Sequence, residues 1–166
     1  MKSKLIIHCY IIFSLIFIFL SCNTKTDSLT PEHSKEIKYN VQKMMDSIAN
    51  DINRNGPTAW LKYFENTPEF FMASEGQLVF PNNEIAIQFI KNELVKQISK
   101  MNLRWTEVQI DVLTNKFVNV AAKWNEDITN FENKTTSQGG YFTGIAKNTS
   151  EGWKLRNAHW SVTNKK

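Results

Sequence analysis

The segment LRWTEVQIDVL, residues 103–113, marks the point at which the hydrophobic period of this chain changes from helical to alternating. Val108, Ile110 and Val112 alternate with Glu107, Gln109 and Asp111, which is typical of a β-strand with one buried face. Three more strands are predicted at residues 117–128, 140–147 and 153–163, with turns at 115–116 and 148–152 and a polar loop at 129–137. Because short turns connect most of them, these strands are predicted to be antiparallel neighbours.

Upstream of this segment the period is helical. A helix is predicted from the N-cap Thr30 and Pro31 to Asn55-Gly56, with one apolar stripe at spacings of three and four. The stripe comprises Ile37, Val41, Met44, Met45, Ile48 and Ile52. A short helix at 57–65, a hairpin at 69–80 and a third helix at 83–100 follow. This order predicts an α+β fold in which three helices cover one face of a curved antiparallel sheet.

The first residues form a separate unit. Lys2 and Lys4 precede an apolar run at 5–20, which is too short for a typical membrane span and is typical of a secretory signal. The following Ser21-Cys22 resembles the end of a bacterial lipoprotein signal, in which the Cys becomes lipidated. We therefore expect a signal peptide at 1–21, a polar tether at 22–29 and a single domain at 30–166, anchored by lipid in the bacterial cell envelope. An uncleaved N-terminal anchor helix is the alternative.

The composition excludes several classes of protein. With 42% hydrophobic and 22% charged residues of both signs, the chain is predicted to be globular. Its formal net charge of +4 falls by two when Lys2 and Lys4 are removed, and the remaining bases are scattered, so a nucleic-acid partner is not expected. The two cysteines, Cys9 and Cys22, belong to the signal region. We therefore expect neither a disulfide nor a metal site nor a cofactor, and Glu126-Asp127, the one adjacent acidic pair considered, is predicted to lie in a solvated turn.

The end of the chain carries a family resemblance. Residues 151–155, EGWKL, are followed by His159-Trp160-Ser161, and together with the order of elements they resemble the SnoaL-like, nuclear-transport-factor-2-like superfamily. The resemblance implies a cone: the sheet wraps around a pocket, and the helices pack on its concave face. Enzymes, ligand binders and scaffolds use this shape, so the fold does not decide the function.

The residues that would line the cone follow from strand alternation and the resemblance. In the last strand, Trp153, Leu155, Asn157, His159 and Ser161 share one face, which is predicted to point inward. The candidate ligand-binding residues are Trp60, Tyr63, Phe64, Met72, Phe142, Trp153, Asn157 and His159.

Two functions are left open by these residues. The hairpin that carries the catalytic base in related isomerases reads FFMAS at 70–74 and has no carboxylate at its centre. We therefore expect a non-catalytic, lipid-anchored module that binds a small apolar ligand or a partner. The alternative is an isomerase, dehydratase or hydrolase that uses His159 for acid–base chemistry.

A homodimer is also predicted. The outer face of the sheet would present Trp105 and Trp160 beside Lys154 and Arg156, and Trp and Arg are enriched at protein interfaces.

Overall fold

A computed structural model describes residues 29–163 of the chain. Helix α1 (Pro31–Asn55) begins as predicted: the Thr30 side chain accepts a hydrogen bond from the His33 N–H at 3.2 Å, and Gly56 follows its last turn with a φ of 70°. The predicted stripe of six apolar residues is buried. Helix α1 therefore lies on the sheet along the face that its sequence pattern predicts.

Two further helical segments complete the helical layer. The second helix is a short 3-10 helix (Pro57–Lys62) that buries Trp60. The third begins as α2 (Asn83–Phe89), continues through a π-helical turn (Ile90–Leu94) and ends in α3 (Val95–Gln97). We call this continuous run, residues 83–97, the third helical segment. The chain becomes extended at Ile98, where the sequence pattern still predicts helix.

The strands form one six-stranded sheet within the described part of the chain, in the order β2-β1-β6-β5-β4-β3. Their bounds are β1 (Phe71–Ser74), β2 (Gln77–Phe80), β3 (Ile98–Val112), β4 (Phe117–Asn130), β5 (Thr135–Thr149) and β6 (Gly152–Val162). The predicted hairpin of β1 and β2 is confirmed, with Glu75 and Gly76 both at positive φ in its turn. Its position in the sheet was not predicted: β1 pairs in parallel with β6.

The predicted polar loop at 129–137 is wrong. β4 and β5 continue toward each other until Thr129 faces Thr135, and a tight turn joins them. The Asn130 side chain forms this turn, since its Oδ1 accepts hydrogen bonds from the backbone N–H groups of Glu132 and Lys134. Local side-chain bonding at Asn thus allows a short turn in a polar segment.

Gly139 and Gly140 lie inside β5, which begins at Thr135 and not at the predicted residue 140. A Cβ atom on Gly140 would lie 1.8 Å from the carbonyl oxygen of Ser161 on β6. Glycine at this position therefore permits close approach of the two strands.

The core lies between helix α1 and the concave face of the sheet. It contains the stripe of α1 together with alternate residues of β4, namely Val118, Val120, Ala122 and Trp124, and residues of β5 and β6 that include Phe142, Ala146 and Leu155. The predicted α+β cone, with its helices on the concave face, is confirmed.

Candidate functional site

An apolar cavity of about 370 Å³ lies between the third helical segment and the concave face of the sheet. Aromatic side chains form much of its wall: Trp60, Phe64, Phe80, Phe89, Trp124 and Trp160. Aliphatic side chains complete it, including Met72, Val79, Ile90, Leu94, Ile98, Met101, Ile128, Leu155, Ala158 and Val162. Val79 and Phe89 are 39% and 37% exposed, so the cavity reaches the surface between β2 and α2.

Three side chains bring hydrogen-bonding oxygen or amide groups to this wall: Ser74, Glu126 and Gln138. Glu126 is 8% exposed, and its Oε2 accepts a hydrogen bond from Gln138 Nε2 at 3.2 Å. Burial raises the pKa of the Glu126 carboxyl, the Gln138 hydrogen bond lowers it, and the neighbouring Asp127 adds a smaller upward shift. The cavity therefore contains a carboxyl group whose proton is held more tightly than in water.

The alternation of β4 places Glu126 inside. Val118, Val120, Ala122 and Trp124 are buried on the concave face, and Glu126 continues that series. Asp127 points to the other face, where it accepts hydrogen bonds from Arg104 Nη1 at 3.0 Å and Ser137 Oγ at 2.7 Å. The prediction of a solvated turn at Glu126-Asp127 is therefore wrong. Extending the inward series of β4 by one step would have identified Glu126.

A β-bulge in β6 changes which residues face the cavity. Leu155 pairs with Ala146 and Asn157 pairs with Ile145, so Arg156 is an extra residue in the ladder. A slip of one residue exchanges the two faces of a strand. Beyond the bulge, Ala158, Trp160 and Val162 line the cavity together with Leu155.

The inward position predicted for His159 is therefore wrong. His159 is exposed and pairs with Thr143 on β5 and Ala73 on β1. Asn157 also leaves the cavity, and its Oδ1 accepts a hydrogen bond from the Ile145 N–H at 3.0 Å. Trp153 precedes the bulge and is half-buried, but it does not line the cavity.

A buried ion pair accompanies the bulge. Glu65 is 4% exposed, and its carboxylate accepts hydrogen bonds from Arg156 Nη1 at 3.0 Å and from Lys147 Nζ. The adjacent backbone is tied to the same strand, since Glu65 N–H donates to the Leu155 carbonyl at 2.8 Å. The bulge thus directs Arg156 toward Glu65, which would otherwise have only Lys147 to neutralise its buried charge among the described residues.

Of the other candidate ligand-binding residues, Trp60, Phe64 and Met72 line the cavity. Phe142 is fully buried behind the wall, with its ring centroid 5.0 Å from that of Trp160. Tyr63 lies outside the cavity, and its hydroxyl donates to Asp51 Oδ2 at 2.6 Å. The structure thus brings together three of the eight candidates, Trp60, Phe64 and Met72, and places the other five outside the cavity.

The tryptophans form a cluster around Trp160. Its ring centroid lies 5.2 Å from that of Trp124, 5.5 Å from Trp105 and 5.6 Å from Trp60. Trp105 and Trp160 therefore lie on the cavity side of the sheet, and their predicted position on the outer face is wrong. The homodimer stays a prediction without support from these two residues.

The predicted signal segment and lipidation site lie outside the described residues. Cys22 and the signal segment precede residue 29. Within residues 29–163, no helix has the length and apolar character needed to cross a bilayer. The same residues contain no group of three His, Cys, Asp or Glu side chains arranged to hold a metal ion.

Comparisons with known proteins give the fold. No family model matches the sequence, and no curated protein matches it at a significant level. Several solved structures are similar. A nuclear-transport-factor-2-like protein from Salmonella enterica aligns with a TM-score of 0.62 and 17% identity, over 81% of this chain and 93% of its own. A Novosphingobium aromaticivorans protein provisionally assigned as a scytalone dehydratase gives a TM-score of 0.70 and 10% identity, over 81% and 89%.

An enzyme is also among the similar structures. The hexachlorocyclohexane dehydrochlorinase LinA-type3 from Novosphingobium barchaimii aligns with a TM-score of 0.65 and 10% identity, over 81% of this chain and 92% of its own. At such identities the likeness establishes the fold and leaves the activity open. The curved sheet, its helical cover and these alignments together show that the chain has the nuclear-transport-factor-2-like cone fold.

Proposed function

We propose that this protein binds a small, mostly apolar molecule in the cavity of the cone. The observation that supports this is the cavity itself: about 370 Å³, walled by aromatic and aliphatic side chains, with few polar groups. Small-molecule sites in proteins have this size and character, and the sparse polar groups orient the ligand.

The second part of the proposal concerns location and role. The signal pattern at 1–21 and Cys22 favour a domain that is held by lipid at the bacterial envelope, on a short polar tether. A non-catalytic accessory role is favoured because His159, the acid–base residue considered for catalysis, is exposed on the opposite face of the sheet. The exposed position of His159 argues against an enzyme that uses this residue inside the cone.

A second candidate function rests on Glu126. Glu126 is a buried carboxyl whose pKa is raised by burial, so it is a candidate proton donor or acceptor toward a bound molecule, as general acid–base catalysis requires. One of the fold neighbours is described as a hexachlorocyclohexane dehydrochlorinase, so the same fold is found in an enzyme. If Glu126 transfers protons, the bound ligand should exchange a C–H hydrogen for deuterium in D₂O with the wild type and not with Glu126→Gln.

Native mass spectrometry of protein purified from its own host tests ligand binding directly. We expect a retained molecule in the wild type and its loss in Ala158→Leu, because Ala158 is 3% exposed and a larger side chain there would fill part of the cavity. His159→Leu is the matched control, since it places the same side chain one residue away on the opposite face. No retained molecule, together with no binding of a neutral naphthalene-based fluorescent probe, would refute the proposal.

The lipid anchor has its own test. Cys22→Ala should abolish incorporation of a labelled fatty acid and shift the protein from the membrane to the soluble fraction. Cys9→Ala changes the other of the two cysteines and should leave both readouts unchanged. Absence of acyl label on the wild type would contradict anchoring.

A further inference from the structure

The lining of the cavity contains a carboxyl group but no basic side chain. Among residues 29–163, the side chains that line it include one ionisable group, Glu126, and no Lys, Arg or His. Gln138 is the one hydrogen-bond partner of this carboxyl in the described part of the chain. When Glu126 is ionised, its negative charge thus has no protein cation against it.

A second buried carboxylate of this protein, Glu65, is paired with basic side chains. Glu65 is 4% exposed and receives two cations, Lys147 and Arg156. Glu126 is almost as buried at 8% and receives none. A buried charge is unfavourable unless an opposite charge pairs with it. Protein cations already pair with Glu65, whereas at Glu126 a ligand would have to supply the opposite charge. The missing partner at Glu126 is a positive charge.

The walls of the cavity suit the same charge. The indole rings of Trp60, Trp124 and Trp160 line it, and Trp is the side chain that attracts cations most strongly through its π-system. An aromatic surface also accepts the apolar body of an organic ligand. One carboxyl beside several tryptophans is therefore complementary to an organic ammonium group.

We propose that the ligand of this cavity is a small organic cation, an amine or quaternary ammonium compound whose remaining atoms are apolar. This inference rests on the proposed function, because it names the chemical class that the same cavity selects. Glu126 supplies the counter-charge, Gln138 orients its carboxyl, and the tryptophans enclose the apolar body.

No other ionisable side chain lines the cavity beside Glu126, so the effect of its titration on ligand affinity can be measured separately. On β4, Asp127 points to the other face. Across the ladders Glu126 faces Leu103 on β3 and Gln138 on β5. The residues that β6, the hairpin strands and the third helical segment contribute to the cavity have no ionisable side chain; they include Trp160, Val162, Ser74, Phe89 and Leu94. A pH-dependent affinity for a permanently charged ligand therefore reports on Glu126.

Two probes of the same shape separate charge from hydrophobicity. Benzyltrimethylammonium and neopentylbenzene differ by one nitrogen in place of carbon, and the first carries a charge that no pH change removes. Their dissociation constants for the wild type, Glu126→Gln and Glu132→Gln would be measured by competition with the neutral fluorescent probe. Glu132 is an exposed acid in the turn between β4 and β5 and provides the matched control.

We expect the wild type and Glu132→Gln to bind the cation about tenfold or more tightly than its neutral isostere. A tenfold difference in affinity corresponds to about 1.4 kcal/mol, and the attraction between two charges shielded from water exceeds this value. Glu126→Gln should lose this preference and keep its affinity for the neutral isostere. The wild-type affinity for the cation should also rise with pH through the pKa of Glu126, while that for the neutral isostere stays flat, a test that holds even if the variant does not fold.

The experiment distinguishes a failure of the cation inference from a failure of the proposed function. Preference of the wild type for the neutral isostere, or an unchanged cation preference in Glu126→Gln, would overturn the cation inference and leave small-molecule binding in place. Failure of both probes and of the fluorescent probe to bind would overturn the proposed function with it.

Discussion

Two adjacent residues of β6 provide a sharp test of the bulge. Trp160 faces the cavity and its ring packs against those of Trp124, Trp105 and Phe142, whereas His159 is exposed on the opposite face. Replacement of a buried Trp by Ala costs about 3–5 kcal/mol. We expect a value at the lower end, about 3 kcal/mol, for Trp160→Ala because this side chain is half-buried. His159→Ala should change stability by less than about 0.5 kcal/mol.

Urea unfolding followed by far-UV circular dichroism measures both changes without relying on tryptophan fluorescence. With a slope of about 2 kcal/mol per molar urea, Trp160→Ala should lower the midpoint by about 1.5 M, and His159→Ala should leave it within about 0.3 M of the wild type. The reverse order, a large loss for His159→Ala and a small one for Trp160→Ala, would show that β6 has no bulge and that its predicted alternation holds.

Three further predictions concern the polar groups and the close strand contact. Because burial raises the pKa of Glu126 above its ordinary value of 4.5, the folded state holds this proton more tightly than the unfolded chain does. The wild type should therefore lose stability relative to Glu126→Gln as pH rises from 4.5 through the folded pKa, which melting curves over a pH series would show; parallel pH profiles of the two proteins would contradict this. Arg156→Ala should cost about 1–3 kcal/mol, since it leaves the buried Glu65 with one cation, and Arg156→Ala/Glu65→Gln should recover part of that loss in denaturant unfolding; no recovery would argue against the ion pair. Gly140→Ala should cost more than about 2 kcal/mol because its Cβ would overlap the Ser161 carbonyl, and a melting temperature equal to that of the wild type would exclude this contact.

Local patterns predicted the elements that depend on local physics. The stripe of α1, its N-cap at Thr30 and the turn at Glu75-Gly76 follow from spacing and backbone preference, and all three are present. The consecutive strands and the helices on the concave face followed from alternation and from the family resemblance. Of the five aromatic candidates for the site, two line the cavity, namely Trp60 and Phe64.

Long-range pairing decided the rest. The bulge at Arg156 places this side chain against the carboxylate of Glu65, which lies 91 residues away in sequence. The alternation of residues along β6 alone therefore cannot reveal the bulge. The parallel pairing of β1 with β6 likewise depends on how the hairpin meets a distant strand. Glu126 was missed for a different reason: an acidic pair in a polar segment favours a turn, although its place in the inward series of β4 was already visible.

The extra residue in β6 also affects how this chain should be compared with its structural relatives. An alignment without a gap between Leu155 and Ala158 would equate His159 with the inward-facing position of an unbulged strand, and a functional assignment would then be transferred to a side chain on the wrong face. Deletion of Arg156 would give an unbulged strand in which Trp160 keeps its inward position, because Ala158 and Trp160 keep their partners on β5.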